Sequence, residues 1–110
     1  MRYQIKYKVW LEKDGEIIMG LGREKLLKEI QKQGSISKAA KELGISYKKA
    51  WSFLKAMEKR LGTKLVLTKR GGEKGGGAVL TEEAQKLLKE FEKLVRRFEG
   101  VKRRAESNGK

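Results

Sequence analysis

The stretch Ser35–Leu61 reads SISKAAKELGISYKKAWSFLKAMEKRL and predicts two helices joined by a tight turn. Ser37 is placed to cap the first helix, because a serine oxygen can accept a hydrogen bond from an otherwise unpaired amide at a helix start. Gly44 is typical of a helix end in left-handed geometry. Ser46 is placed to cap the second helix. We therefore predict a helix-turn-helix over residues 37–61.

The second helix of this pair has an apolar face and a basic face. Its apolar residues recur at helical spacing: Ala50, Leu54, Met57 and Leu61. The residues predicted to point outward include Lys48, Lys49, Ser52 and Lys55. A short helix, a glycine turn and a longer helix with a basic front are typical of proteins that read DNA. An ordinary helical hairpin with solvated lysines is the alternative that this stretch leaves open.

A glycine-rich hairpin is predicted directly after the two helices. Lys64–Thr68 reads as a strand, 69–77 reads KRGGEKGGG, and Ala78–Leu80 reads as the returning strand. Glycines allow such a tip to approach another surface closely, and the basic residues at its base and tip favour phosphate: Lys69, Arg70 and Lys74. A disordered surface loop is the plainer alternative. A helix-turn-helix followed by such a hairpin indicates the winged form, in which the hairpin is the wing.

The N-terminal region predicts a second hairpin. Tyr3–Leu11 alternates apolar and polar residues, which is strand periodicity. Asp14-Gly15 is a strong two-residue turn signal, and Glu16–Met19 is expected to pair back as the second strand. We interpret this hairpin, residues 3–19, as structural, because Trp10 alone does not support a ligand site.

Two further helices flank the winged unit. The first is predicted over Arg23–Gln33, with Leu26, Leu27 and Ile30 facing inward and Gly34 as its stop. The last is predicted over residues 81–100, capped by Thr81 and ended or bent by Gly100. Its apolar stripe is wide: Ala84, Leu87, Leu88, Phe91, Leu94, Val95 and Phe98. Such a stripe suggests packing against a second copy, although a helix lying wholly on its own core is the alternative. Residues 101–110 are expected to form a basic, flexible tail.

Composition narrows the class of protein. The chain has 110 residues and a net charge of +14, which fits one domain with a modest core, over residues 1–100. It contains no cysteine and no histidine, so disulfides, thiolate metal sites and the usual general base are excluded. We predict no enzyme activity, no cofactor, no membrane association and a cytoplasmic location. The excess positive charge lies in the central helices, the glycine-rich segment and the tail, whereas residues 81–100 have no net charge. Such an uneven distribution of charge is typical of a surface that binds a polyanion.

Two quoted segments resemble a known family. GSISKAAKELGISYKKAW (residues 34–51) together with GGEKGGGAVLT (residues 71–81) resembles the N-terminal DNA-binding domain of the molybdate-responsive regulators (ModE), with the LysR-type regulators as more distant relatives. The resemblance covers roughly residues 20–100. It implies a homodimer held largely by the first and last helices, with two recognition helices in successive major grooves. The interface residues expected on those helices are Leu26, Leu87, Phe91, Leu94, Val95 and Phe98.

The resemblance also implies which residues contact DNA. Ser37 and Lys38 would contact the sugar-phosphate backbone of DNA. The residues expected to face the groove are Ser46, Tyr47, Lys48, Lys49 and Ser52, with Lys55 further along the same face. Lys69, Arg70 and Lys74 would belong to the wing, although Thr68 stands where the family often has a basic residue. Trp51 is interpreted as partly buried packing.

One family feature is not expected here. The family's oxyanion sensor lies in a separate C-terminal region that this sequence lacks, so molybdate regulation is not expected to carry over. Constitutive action, binding to a separately made sensor protein and a small architectural role all stay open.

The sequence thus predicts a mainly helical α+β fold: a winged helix-turn-helix with an N-terminal β-hairpin and a long C-terminal dimerisation helix. The predicted function is sequence-specific binding of double-stranded DNA by a homodimeric transcriptional regulator. A nonspecific architectural DNA-binding protein and an RNA-binding winged helix are the alternatives.

Overall fold

The computed structural model describes residues 2–69 and 77–108, which contain four strands and four helices. In chain order these are β1 (Leu11–Lys13), β2 (Glu16–Met19), α1 (Leu21–Gln33), α2 (Ile36–Leu43), α3 (Tyr47–Leu61), β3 (Val66–Lys69), β4 (Gly77–Leu80) and α4 (Glu82–Asn108). The prediction of a mainly helical α+β winged helix-turn-helix, with an N-terminal hairpin and a long last helix, is confirmed.

The helix-turn-helix is bounded by the expected kinds of residue. Gly34 and Gly44 have φ of 67° and 69° and end α1 and α2, as predicted. A residue with a Cβ would be strained in this left-handed region. α1 begins at Leu21, two residues before the predicted start at Arg23.

The sequence predicted the N-terminal cap of α3 correctly but misplaced that of α2. Ser46 caps α3, since its Oγ accepts a hydrogen bond of 3.0 Å from the Lys49 amide. The predicted cap at Ser37 is wrong, because Ser35 Oγ accepts from the Lys38 amide at 3.2 Å and α2 starts at Ile36. Burial is consistent with this start: a helix that begins at Ile36 places this residue on the same inward face as Ala39 and Ala40.

One core joins the helices to the base of the wing. Its members are buried apolar residues from seven elements and the segment before β3, among them Met19, Leu27, Ile30, Leu54, Met57, Leu65, Leu80 and Phe91. Three buried alanines lie on the two helices of the helix-turn-helix, Ala39 and Ala40 on α2 and Ala50 on α3. Small buried side chains allow close packing of helices.

The wing strands are paired as predicted and are fastened at their base. β3 and β4 are antiparallel, from Val66 opposite Leu80 to Lys69 opposite Gly77. The Ala78 amide donates to the Gly34 carbonyl at 2.9 Å, which ties β4 to the corner between α1 and α2. The base of the wing is therefore part of the folded core.

The N-terminal hairpin is shorter than predicted. It spans Leu11–Met19, with Asp14 and Gly15 at positive φ in the turn. The strand predicted over residues 3–10 is absent, because β2 has only four residues and offers no edge to pair with that length. Residues 3–7 instead lie along α4: the Ile5 amide donates to Glu106 Oε2 at 2.8 Å, and the Tyr7 hydroxyl donates to Glu99 Oε2 at 2.7 Å.

The last helix is longer than predicted. α4 runs without interruption through Gly100 to Asn108, so the predicted helix end and the flexible tail are wrong for residues 101–108. A glycine inside a helix costs only about 1 kcal/mol relative to alanine. The following turns are supported by ion pairs of Lys102 with Glu99 and Glu106, at 3.8 and 3.7 Å, and by the N-terminal segment.

Candidate nucleic-acid interface

The face of α3 that points away from the core is basic and exposed. Ala50, Leu54 and Met57 are buried on the inner side. Seven exposed residues lie on the other sides of the helix: Tyr47, Lys48, Lys49, Trp51, Ser52, Lys55 and Lys59. A helix with this division can enter a groove in DNA while its inner side stays packed.

The turns at the starts of α2 and α3 expose further predicted contacts. Ser37 and Lys38 are exposed in the first turn of α2. Ser46 is also exposed, although its Oγ is already engaged as the α3 cap. The amides at these helix starts and the basic side chains beside them suit phosphate oxygens.

Lys49 lies on the α1 side of α3 rather than beside Lys48. Its Nζ is 5.8 Å from the centre of the Phe53 ring, and the Arg23 guanidinium is 5.5 Å from the same centre. Arg23 Nε is buried without a hydrogen-bond partner in the described part of the chain. Burial lowers the pKa of Arg23, and the charge of Arg60 lowers it further. Arg23 and Lys49 thus extend the positive surface from α3 towards the start of α1.

Trp51 is more accessible than its interpretation as packing implied. Its side chain is 36% exposed, and its ring stacks with that of Tyr47, which is 54% exposed, at 6.3 Å between centroids. Lys55 Nζ lies 4.5 Å from the centre of the Trp51 ring. The outer face of α3 is therefore partly aromatic as well as basic.

Glu58 joins α3 to the wing. Its Oε2 accepts hydrogen bonds from the amides of Leu65 at 2.8 Å and Val66 at 3.3 Å, and its Oε1 accepts from Lys55 at 3.3 Å. Burial by itself would raise the pKa of Glu58, but these amide bonds and the Lys55 ammonium outweigh it and lower the pKa below its usual range. These bonds hold α3 and the wing at a fixed separation.

A cleft of about 210 Å³ lies between α3 and β3. Its walls include the residues Trp51, Lys55, Glu58, Lys64, Leu67 and Thr68. Lys64 adds a positive charge here that the sequence-based list did not include. Trp51 thus forms part of the wall of the cleft on the side of α3.

The wing supplies one described basic residue of the three predicted. Lys69 is exposed at the end of β3, opposite Gly77. Arg70 and Lys74 lie outside the described residues. Leu67 and Val79, a cross-strand pair, are exposed on the outer side of the wing.

The residues predicted for the dimer interface fall into two groups. Leu26 and Phe91 are 1% exposed in the core, so their side chains have no free surface for a partner, and we correct the prediction by removing them. Leu87, Leu94 and Val95 are half-buried, and Phe98 is 48% exposed. The half-buried and exposed residues lie along one side of α4.

Sequence reasoning missed several residues of this surface. Lys59 lies one turn beyond Lys55, so helical spacing could have identified it. Arg23 comes from α1, and only the folded structure brings it to Phe53. The exposure of Trp51 had a weak signal, since it follows Tyr47 by one helical turn and lies outside the buried series at residues 50, 54 and 57.

The part of the chain that the structure describes offers neither a membrane span nor a metal site. None of the helices in residues 2–69 and 77–108 has the length and apolar character needed to cross a bilayer. Those residues also hold no group of three or more acidic side chains arranged to bind a metal ion.

A family model matches more than half of the chain. Residues 23–85 match the model described as "Bacterial regulatory helix-turn-helix protein, lysR family". The match covers α1, α2, α3, the wing and the start of α4. The prediction that the chain is not an enzyme is confirmed by this match, because the model describes regulatory proteins.

Individual proteins are similar over the same region. The molybdenum-pterin-binding protein MopB of Rhodobacter capsulatus is 49% identical over 70 residues, which are 64% of this chain and 26% of that protein. The transcriptional regulator ModE of Haemophilus influenzae is 49% identical over 67 residues, which are 61% of this chain and 26% of that protein. The predicted resemblance to the ModE family is therefore confirmed, and the matched segment spans about a quarter of each relative's length.

A solved structure shares the fold. The DNA-binding domain of CbnR, determined in complex with DNA, superposes with a TM-score of 0.62 over 84% of this chain and 100% of that chain, at 21% sequence identity. At this identity the likeness shows the fold.

Proposed function

We propose that this chain acts as a sequence-specific transcriptional regulator that binds double-stranded DNA as a homodimer. It belongs to the lysR family of bacterial regulatory helix-turn-helix proteins and forms a DNA-binding domain of that type. The observation that supports this most directly is the exposed face of α3, where Lys48 and Ser52 lie opposite the buried Ala50 and Leu54. Side chains on this face would contact base edges in the major groove.

The surrounding lysines would supply most of the affinity. Lys38, Lys49, Lys64 and Lys69 flank α3 on α2, on the α1 side and on the wing. Such residues contact phosphates, which fix the position of a protein on the duplex without reading its sequence. We therefore assign readout of the base sequence to α3 and positioning of the protein on the duplex to the flanking lysines.

The proposed dimer rests on an apolar stripe in the outer half of α4. Its residues are spaced by four, three and four positions, which fits the heptad pattern of paired helices: Leu94, Phe98, Val101 and Ala105. Phe91 closes the core of its own protomer, whereas Phe98 and Val101 are exposed beyond it. Pairing of the outer half of α4 with a second copy would bury these side chains. The proposal also includes a separately made sensor protein as a binding partner. It places the action of the protein in the cytoplasm.

Selection of bound duplexes from a random DNA pool tests the proposed function. The oligomeric state is measured on the same preparation by cross-linking and by sedimentation. A two-fold symmetric motif with half-sites about 34–36 Å apart, bound by a dimer, is the expected result. Tight, salt-sensitive binding to every duplex without enrichment would support the architectural alternative, and preference for structured RNA in competition would support the RNA-binding alternative.

A further inference from the structure

The DNA-facing side of α3 contains an exposed aromatic pair. Tyr47 and Trp51 are one helical turn apart, and their rings are stacked with an angle of 19° between their planes. The neighbouring exposed side chains on this helix are lysines and a serine: Lys48, Ser52 and Lys55. Adjacent exposed apolar side chains rimmed by polar residues are a feature of contact surfaces.

The Trp51 ring is held in place on both sides. Tyr47 stacks against it, and the Lys55 ammonium lies 4.5 Å from its centre. Lys55 is in turn bonded to Glu58, which is fixed by the amides of Leu65 and Val66. The ring is therefore pre-positioned at the mouth of the cleft between α3 and β3, and binding would not need to order it.

An aromatic edge in the major groove has one prominent apolar partner. The base pairs are distinguished there by their hydrogen-bonding atoms and by the C5-methyl group of thymine, which is the group that apolar side chains contact. The phenol and the indole each have a single polar group, at the hydroxyl and at Nε1, and otherwise present carbon. We propose that Tyr47 and Trp51 read pyrimidine C5-methyl groups, and that Trp51 is therefore a specificity-determining residue.

The spacing of the pair limits the positions that it can read. Residues four apart on a helix are separated by about 6 Å along its axis. Successive bases in DNA are separated by about 3.4 Å. The two rings are therefore close enough to reach neighbouring bases, and two methyl-bearing pyrimidines near each other are expected in each half-site.

This inference rests on the proposed function and is tested on the duplex that the selection yields. Each thymine of one half-site is replaced in turn by deoxyuridine, which removes only the methyl group. Loss of one methyl contact is expected to weaken binding about fourfold, the factor that corresponds to burying one methylene-sized group. Comparison of cytosine with 5-methylcytosine at the responsive positions shows whether a methyl group is read on either pyrimidine or on thymine alone.

The protein side of the test uses two tryptophans of similar exposure. Trp51→Ala is expected to abolish the penalty for deoxyuridine at one position while other thymine positions respond as before. Trp10→Ala is the matched control, because Trp10 is 50% exposed but lies next to the N-terminal hairpin. Trp51→Phe, which keeps an aromatic ring, is expected to retain part of the penalty and guards against a simple loss of folding.

The outcomes separate the inference from the function on which it rests. Specific binding with no methyl-dependent position overturns the inference alone, as does a penalty that persists unchanged in Trp51→Ala. Failure of the protein to bind any duplex sequence-specifically overturns both. A methyl penalty that disappears in Trp51→Ala and persists in Trp10→Ala supports the proposed reading.

Discussion

Replacing Glu58 by glutamine tests whether this residue fastens the wing to the recognition helix. The carboxylate is 11% exposed and accepts two backbone amides, from Leu65 and Val66, besides the Lys55 ammonium. Glutamine has the same shape but only one accepting oxygen and no charge. Hydrogen bonds to charged groups contribute about 1.5–3 kcal/mol, so a loss of about 2 kcal/mol in the free energy of unfolding is expected at neutral pH.

The pH dependence makes this prediction specific to the charge. The pKa of Glu58 is lower in the folded protein than in the unfolded chain, so the unfolded state binds the proton more readily. The stabilisation is therefore complete above the ordinary carboxyl pKa and is lost as the pH falls through the lowered value. The difference in stability between wild type and Glu58→Gln is expected to be constant from pH 7 to about pH 5 and to shrink below about pH 4.

The measurement is urea denaturation of both proteins at several pH values, monitored by circular dichroism. Glu42→Gln is the control, because Glu42 is an exposed glutamate on α2. A change near zero is expected for the control. A Glu58→Gln difference below about 0.5 kcal/mol at neutral pH, the usual range for surface substitutions, would refute the proposed role of the carboxylate. A difference of the same size at pH 3 and pH 7 would show that shape rather than charge is responsible.

Three further predictions concern binding and assembly. Phe98→Asp is expected to convert the dimer to a monomer in sedimentation experiments, whereas Val79→Asp, at a more exposed apolar position on the wing, leaves the oligomeric state unchanged; a dimeric Phe98→Asp protein would contradict the assigned stripe. Lys48→Ala is expected to cost about 1–3 kcal/mol on the selected duplex and to relax preference at one base pair, whereas Lys69→Ala weakens all duplexes alike. Equal effects of the two lysine substitutions on specific and random DNA would argue against readout by α3. If each subunit makes roughly six phosphate contacts, affinity is expected to fall by about three orders of magnitude or more between 50 and 200 mM salt, and a shallow slope in a filter-binding titration would mean fewer contacts.

Local signals in the sequence were enough to identify the helix-turn-helix and the wing strands. Gly34 and Gly44 ended their helices as expected, and Ser46 capped α3. These features depend on a few neighbouring residues, so their physical cause is contained in the sequence. The cap of α2 was misplaced because Ser35 and Ser37 are both competent acceptors, and burial of Ile36 decided between them.

Features that depend on distant contacts were not predictable in the same way. Alternation in residues 3–10 indicates two faces but not whether a partner strand exists, and β2 is too short to provide one. Gly100 is a common helix terminator, but ion pairs of Lys102 and contacts from the N-terminal segment keep α4 helical beyond it. The exposure of Trp51 likewise depended on how closely the wing approaches α3.

The contact between the N-terminal segment and α4 brings the two ends of the described chain to one corner of the domain. Tyr3 reaches the Ala105 carbonyl, and Ile5 reaches Glu106. Ends that lie this close are suited to circular permutation, in which a short linker joins them and new ends are opened elsewhere, for instance at the Asp14-Gly15 turn. A fusion partner attached at either end would be delivered to the same corner. Removal of residues 101–108 would also remove the partners of Tyr3 and Ile5, so the first and last segments of the fold depend on each other.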